Sequence, residues 1–212
     1  MRVTVFGATG GIGGHVVRQA LDRGYAVTAI VRDPARLDVR HPALEVTTVP
    51  ALDDADALGA LVRGSDAVLS GVGPRGRKDG PVASTATRTI LGAMHAAGVR
   101  RLVAVSATPV GPAPRGDSLL NRRLVLPAIG ALLKDVYADL RAMEHAMVDS
   151  VAEWTVIRPP KLVNKSLTGR YRTAIDSNVA RGYTISRADV AHAMLDAAGD
   201  PATIRRVVGI AY

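Results

Sequence analysis

The chain has 212 residues, 48% hydrophobic and 22% charged, with no cysteine, which suits one well-buried core and excludes a disordered chain, disulfides and cysteine chemistry. Aromatic residues make up only 3%, too few for a base-stacking platform, and no apolar run reaches the roughly 18 residues that would suggest a membrane span. The net charge of +8 is the one anomaly, and a polyanionic partner is the first class it brings to mind.

The chain opens on MRVTVFGATGG, a short apolar run without a charged leader or cleavage site, so a cytoplasmic protein is expected. Val3 to Phe6 reads as a buried strand, and Ile12, Val16, Val17, Ala20 and Leu21 then recur at helical spacing. Ala26 to Val31, Leu44 to Val49 and Ala67 to Ser70 are three more strands. A helix is predicted to start at Asp53, with Asp56 three residues on as a capping box. The next helix runs from Val82 to Ala97 and is closed by Gly98, the usual left-handed cap residue, before a fifth strand at Leu102 to Val105. Residues 107–118 read as an irregular loop, and Leu119 to Leu133 as an unusually apolar stretch best explained by core packing. Val136, Leu140, Met143 and Met147 mark another helix, followed by a strand from Trp154 to Arg158 that two prolines stop. Ser186 with Asp189 is a second capping box, opening a helix to about Ala198, and Val207 to Ile210 is the last strand. Strand and helix alternating in this way predict a Rossmann-type α/β fold, a doubly wound parallel sheet with helices on both faces. We expect one domain over 1–212, with a small substrate-side region formed by 107–135 and 159–187.

Between the first strand and the first helix lies Gly7-Ala8-Thr9-Gly10-Gly11-Ile12-Gly13. Glycines at 7, 10 and 13 allow a tight turn, close approach of backbone to a pyrophosphate, and close packing of helix on strand. The helix start then offers free N–H groups and a positive dipole end to the phosphates. At the end of the second strand a site for NAD calls for an acid facing the ribose 2′-hydroxyl. Here Val31-Arg32-Asp33-Pro34-Ala35-Arg36 puts two guanidinium groups, Arg32 and Arg36, where a 2′-phosphate would lie, so NADP(H) is the expected cofactor. Asp33 is the competing partner, for a hydroxyl.

Gly7 to Gly13, VRDPARL at 31–37, STATRTILGAMHAAGV at 84–99, Leu102 to Ser106, WTVIRPP at 154–160 and ISRADVA at 185–191 together resemble the atypical short-chain dehydrogenase/reductase family, over nearly the whole chain. Members similar to biliverdin-IXβ/flavin reductase look closest, beside the NmrA-like proteins. The resemblance implies that Thr9, Gly10, Gly11, Ile12 and Gly13 hold the pyrophosphate, that Val72 and Gly73 lie against the riboses, that Ser106 sits beside the nicotinamide, and that Pro159 with Pro160 walls the ring. Lys161 stands where flavin-reductase-like members tend to have His. Many members place an Asp just after the third strand; here Ala51 and Leu52 follow it, leaving a backbone contact from Leu52. The Tyr-x-x-x-Lys pair of typical family members is replaced by Tyr137 and Arg141. Arginine can depress a tyrosine pKa but cannot relay a proton.

Candidate catalytic residues are therefore Ser106, Tyr137 and Lys161, each with a structural alternative: a strand-end hydrogen bond, a packed amphipath and a solvated charge. No metal is expected, because none of the five histidines pairs with acids at ligand spacing, and no Gly-x-Ser-x-Gly elbow is present. A flavin or quinone takes its proton from solvent after hydride arrives, so positioning can supply most of the rate. The leading expectation is thus an NADPH-dependent reductase of a flavin, quinone or other conjugated acceptor. A non-catalytic NADP(H) sensor and a tailoring reductase or epimerase are the alternatives. Of the 27 basic residues 23 are Arg, scattered as codon bias would leave them. Seven basic residues against one acid between Arg158 and Arg187, with Arg75, Arg77 and Lys78, nonetheless suggest a basic cleft mouth suited to NADPH and an anionic small-molecule acceptor. Neither nucleic acid nor membrane is expected as a partner, and monomer or homodimer stays open.

Overall fold

In the computed structural model, which describes residues 1–74, 76, 79–112, 130 and 132–212, strand and helix alternate through the first half as the hydrophobic pattern predicts. β1 (Arg2–Phe6), α1 (Gly13–Asp22), β2 (Ala26–Val31), β3 (Leu44–Thr48), α2 (Ala55–Val62), β4 (Ala67–Ser70), α3 (Val82–Ala97) and β5 (Arg101–Val105) follow in order. The second half adds α4 (Lys134–Val148), β6 (Glu153–Arg158), β7 (Lys161–Val163), β8 (Arg172–Ile175), β9 (Thr184–Ser186), α5 (Arg187–Gly199) and β10 (Arg206–Ala211). The loop and apolar run predicted over 107–133 lie largely outside the described residues, as do Arg75, Arg77 and Lys78.

Eight strands form one sheet in the order β3-β2-β1-β4-β5-β6-β10-β8. All neighbours are parallel except β10 with β8. This is a Rossmann-type doubly wound fold, and the strand order reverses between β1 and β4, where such sheets open a crevice beyond their carboxyl ends. Both faces are covered. Val3 and Val5 of β1 pack with Val16 and Val17 of α1 and Val190 and Met194 of α5. Phe6 points the other way, into a cluster with Leu58 of α2, Ile90 of α3 and Met143 of α4. Burial on two sides explains why the strands read as near-continuous apolar runs.

Helix starts are fixed by caps, one of them displaced from its expected place. Ser186 Oγ accepts from Asp189 N at 2.9 Å, one half of the expected capping box, while Ser186 N donates to Tyr212 OH at 3.2 Å rather than to Asp189. For α2 the cap is Asp54, not Asp53, accepting from Ala57 N at 3.0 Å. Neighbouring acids are equivalent as caps, and burial of Leu58 and Val62 selects the phase. α3 begins after Pro81 without a local side-chain cap. Asp139 of α4 supplies one from outside, accepting from Ala83 N at 2.8 Å and Ser84 N at 2.9 Å. Gly98 ends α3 at φ +72° as expected.

The strands β7, β8 and β9 were not legible in the sequence. They are three or four residues long, too short for an alternating pattern to register. β7 and β9 pair with each other, while β8 adds an antiparallel edge beside β10, so the sheet is mostly rather than wholly parallel. A buried guanidinium closes the far end of α5. Arg101 donates to the carbonyls of Ala197 and Ala198 and to the hydroxyls of Thr155 and Thr203, placing a cation at a helix C-terminus, where the dipole favours it. Among the described residues no helix is long and apolar enough to cross a membrane.

Candidate functional site

A cleft of about 640 Å³ opens at the carboxyl edge of the sheet, across the ends of β1, β2, β3 and β4. Its floor is the turn between β1 and α1. Gly7 adopts φ +75°, and its carbonyl accepts from Gly10 N at 2.8 Å. A Cβ on Gly13 would stand 2.1 Å from that same carbonyl oxygen, so only glycine lets α1 start this close to the strand. α1 has neither a side-chain cap nor an acid in its first turn. Of its first N–H groups, Gly14 N donates to Gly10 O at 2.9 Å and Val16 N to Ile12 O at 3.0 Å, which leaves those of Gly13 and His15 for an anion in the cleft, where the helix dipole favours one.

Nine of the residues expected to hold a cofactor line this one cleft: Gly7, Thr9, Gly10, Gly11, Ile12, Arg32, Leu52, Val72 and Gly73. Gly13 acts beneath it through its close approach to Gly7. Arg36 lies beyond the lining, exposed at the end of a short 3₁₀ turn. Asp33 belongs to that turn. Its carboxylate accepts from Ala35 N at 3.1 Å as an N-cap, whereas Arg32 stands on the cleft wall.

The candidate catalytic residues are placed elsewhere. Ser106, directly after β5, is 5% exposed; its amide donates to the Ile157 carbonyl at 2.8 Å, and its hydroxyl has no hydrogen-bond partner among the described residues. Tyr137 is 7% exposed in the apolar cluster beneath α4, and burial pushes its pKa up. Three residues of the predicted Tyr-x-x-x-Arg segment thus have separate surroundings: Tyr137 is packed, Asp139 caps α3 and Arg141 is exposed. Lys161 is exposed at the start of β7, while the next residue, Leu162, lines the cleft. Pro159 is buried, its carbonyl accepting from Thr108 N at 2.9 Å.

Of the seven basic residues between 158 and 187, Arg187 is the one on the cleft lining. Arg158 is paired with Glu144 and largely buried, and Arg172 binds the backbone carbonyls of Ala180, Arg181 and Tyr212. Composition cannot separate a cation facing a ligand from one holding a loop. The sequence reading also missed the opposite wall, made by Pro81, Val82, Thr85 and Ala86 at the start of α3, and Asp53 beside Leu52. Thr85 and Ala86 belong to the 84–99 segment that carries the family resemblance, but small residues at a helix start give no sign that they face a ligand. The helix-borne histidines have structural settings: His192 faces Tyr171 and Asp196. The pKa of His15 is lowered by burial and then by the charges of Arg18 and Arg187. Among the described residues no group of three or more His, Asp or Glu is placed to hold a metal ion.

A dinucleotide fits what this cleft offers: a glycine cradle that a Cβ would fill, unsatisfied helix N–H donors and a guanidinium on the wall. Residues 7–201 match the model of the NAD(P)H-binding family. The chain belongs to that family. It is 30% identical over 204 residues, 92% of this chain and 71% of the other, to an uncharacterised chloroplast protein of Arabidopsis thaliana. It is 33% identical over 167 residues, 78% of this chain, to a (4-alkanoyl-5-oxo-2,5-dihydrofuran-3-yl)methyl phosphate reductase of Streptomyces griseus, of whose length it spans 50%. A short-chain dehydrogenase/reductase of Veillonella parvula, solved in complex with NADP, superposes with a TM-score of 0.82 at 17% identity, covering 100% of this chain and 94% of that one. This NAD(P)H-binding protein accordingly shares its fold with that short-chain dehydrogenase/reductase.

Proposed function

We propose that this protein is an NADPH-dependent reductase that passes hydride to a conjugated small-molecule acceptor such as a flavin or quinone. The observation that carries the reading is Arg32 on the wall of the cleft that the uncapped start of α1 also opens into. The neighbouring acid, Asp33, is not on the cleft lining, and its Oδ1 caps the 3₁₀ turn. A guanidinium there suits a 2′-phosphate, and the glycine turn with the α1 N–H groups suits the diphosphate. The bound cofactor would supply hydride. The chain's own residues bind and orient it, with Gly7 and Gly13 shaping the turn and Val72 and Gly73 forming the wall after β4. The Ser106 hydroxyl, buried and without a partner among the described residues, would on this reading bond a water or the acceptor.

Burial of Tyr137 and the replacement of lysine by Arg141 favour an acceptor that needs no poised proton donor. The Streptomyces reductase is named for an unsaturated, phosphate-bearing substrate, which supports a conjugated and anionic acceptor here. We expect NADPH to bind far more tightly than NADH. Arg32→Ala should weaken NADPH by roughly tenfold to a hundredfold, the loss of a charged hydrogen bond, and leave NADH almost unchanged. Equal affinity of the wild type for both nucleotides in calorimetric titration would remove the 2′-phosphate assignment.

Steady oxidation of NADPH, followed by its absorbance with a panel of flavins and quinones, tests the reductase itself. The burial of Tyr137 also favours a second reading, a non-catalytic NADP(H) sensor, and binding without turnover of any acceptor would select it. Tyr137→Phe is expected to retain turnover within about threefold, since general acid catalysis would be worth about a hundredfold or more. A larger loss would restore Tyr137 as proton donor and with it the tailoring-reductase reading.

A further inference from the structure

Arg187, the first residue of α5, belongs to no part of the glycine motif, yet its side chain lies on that turn. A Cβ on Gly11 would stand 2.8 Å from Arg187 Cδ and 2.9 Å from Nε. Glycine at 11 is therefore the seat of this arginine, a role distinct from the sharp turn at Gly7 and the close approach at Gly13. Arg187 lines the same cleft as Thr9, Gly10, Gly11 and Ile12.

We propose that Arg187 clamps the diphosphate of the bound dinucleotide from the α5 side of the cleft. This rests on the NAD(P)H-binding reading and on three further properties of the residue. First, Nη1 donates to Asn164 Oδ1 at 2.7 Å, which aims the guanidinium without neutralising it. Second, no carboxylate among the described residues pairs with it, whereas Arg158 has Glu144 and Arg206 has Asp176. The nearest acid in sequence, Asp189, accepts its hydrogen bonds from Thr168, Gly169, Ser186 and Tyr212. Third, its charge is felt at the start of α1, where it helps lower the pKa of His15 after burial and Arg18. A directed, unpaired cation beside free helix N–H groups is a site for an anion with several oxygens. In a dinucleotide lying over the glycine turn that anion is the diphosphate.

The clamp and the Arg32 contact are separable because they concern different phosphates. Calorimetric titration with NADPH, NADH and 2′-AMP distinguishes them, since 2′-AMP carries the ribose phosphate but no diphosphate. Arg187→Ala should raise the dissociation constants of NADPH and NADH by the same factor, roughly tenfold to a hundredfold, and leave 2′-AMP within about twofold. Gly11→Ala, which removes the seat and keeps the arginine, should weaken both dinucleotides in parallel. Unchanged NADPH affinity in Arg187→Ala overturns the clamp. So does a loss confined to NADPH, which would mark a 2′-phosphate contact, and so does an equal loss of 2′-AMP, which would mark a role in holding the fold. A wild-type chain that binds neither dinucleotide would remove the underlying reading and the clamp with it.

Discussion

Gly13→Ala is expected to weaken nucleotide binding severely and to lower stability, although it adds one methyl group. The new Cβ would lie 2.1 Å from Gly7 O, 2.7 Å from Gly7 C and 3.0 Å from Ala8 Cα. All three are backbone atoms, so no side chain can swing aside. Gly7 cannot retreat either. Its own Cβ position is 2.8 Å from the Gly71 carbonyl carbon, its carbonyl is held by Gly10 N, and Gly71 N is bonded to Phe6 O at 3.0 Å. Strand β1, strand β4 and the start of α1 are thus locked at one point. Relieving the clash by shifting α1 should cost about 3 kcal/mol, the upper range for overpacking, or about 6–12 °C in Tm for a chain of this size. The shift also withdraws the α1 N–H groups from the cleft, and NADPH affinity should fall by more than about a hundredfold. Thermal melts with and without NADPH read both effects, because the ligand-induced rise in Tm depends on the dissociation constant. A variant with wild-type Tm and an unaltered NADPH-induced rise would show that the turn has room to spare.

Asp189→Ala should be comparably damaging, through hydrogen bonding rather than sterics. This fully buried carboxylate accepts from Thr168 N at 3.0 Å, Gly169 N at 2.8 Å, Thr168 Oγ1 at 3.0 Å, Ser186 Oγ at 2.8 Å and Tyr212 OH at 2.5 Å. It joins the start of α5, the loop after β7 and Tyr212, which follows β10. Alanine would strand buried donors, two of them backbone, at a cost of about 3–4 kcal/mol. Asp189→Asn should cost less, since Oδ1 still accepts from both backbone N–H groups and the hydroxyls can rotate to accept from Nδ2. Burial by itself would raise the Asp189 pKa, but the hydrogen bonds from Tyr212, Thr168, Gly169 and Ser186 outweigh it and hold the value below the usual carboxylate range. A depressed folded pKa means that this stabilisation is fully present above the ordinary carboxylate pKa of about 4 and is lost as pH falls through the folded value. Denaturation curves for wild type and Asp189→Ala should therefore differ most near neutral pH and converge under strongly acid conditions. A gap that stayed constant into acid would rule out the carboxylate charge as its source.

Asp189 also shows the limit of what a motif conveys. Its spacing from Ser186 predicts a capping box, and the cap is present. Nothing in that spacing reveals Tyr212 or Thr168, which reach it from other parts of the chain. Asp139 is the same lesson in reverse. It lies where the family pattern directs attention to Tyr137 and Arg141, and instead caps α3. A helix register shows which side chains share a face, not which neighbour will need a hydrogen-bond acceptor.

The sequence by itself determined the alternation of strands and helices, the doubly wound fold and the glycine turn that makes one end of the sheet a dinucleotide site. Each is written locally, as apolar periodicity or as glycine at fixed offsets, and survives whatever else the chain does. The tertiary structure alone decided which charges face the cleft. Arg158 and Arg187 bound the same basic segment, yet one is paired with Glu144 and the other lies on Gly11. Charge is counted along a chain, but its availability depends on which acids and carbonyls packing brings within hydrogen-bond reach. The net charge of +8 could not tell that Arg32 and Arg187 reach the cleft, beside the acids Asp53 and Asp79; only the docking of the helices on the sheet decides that.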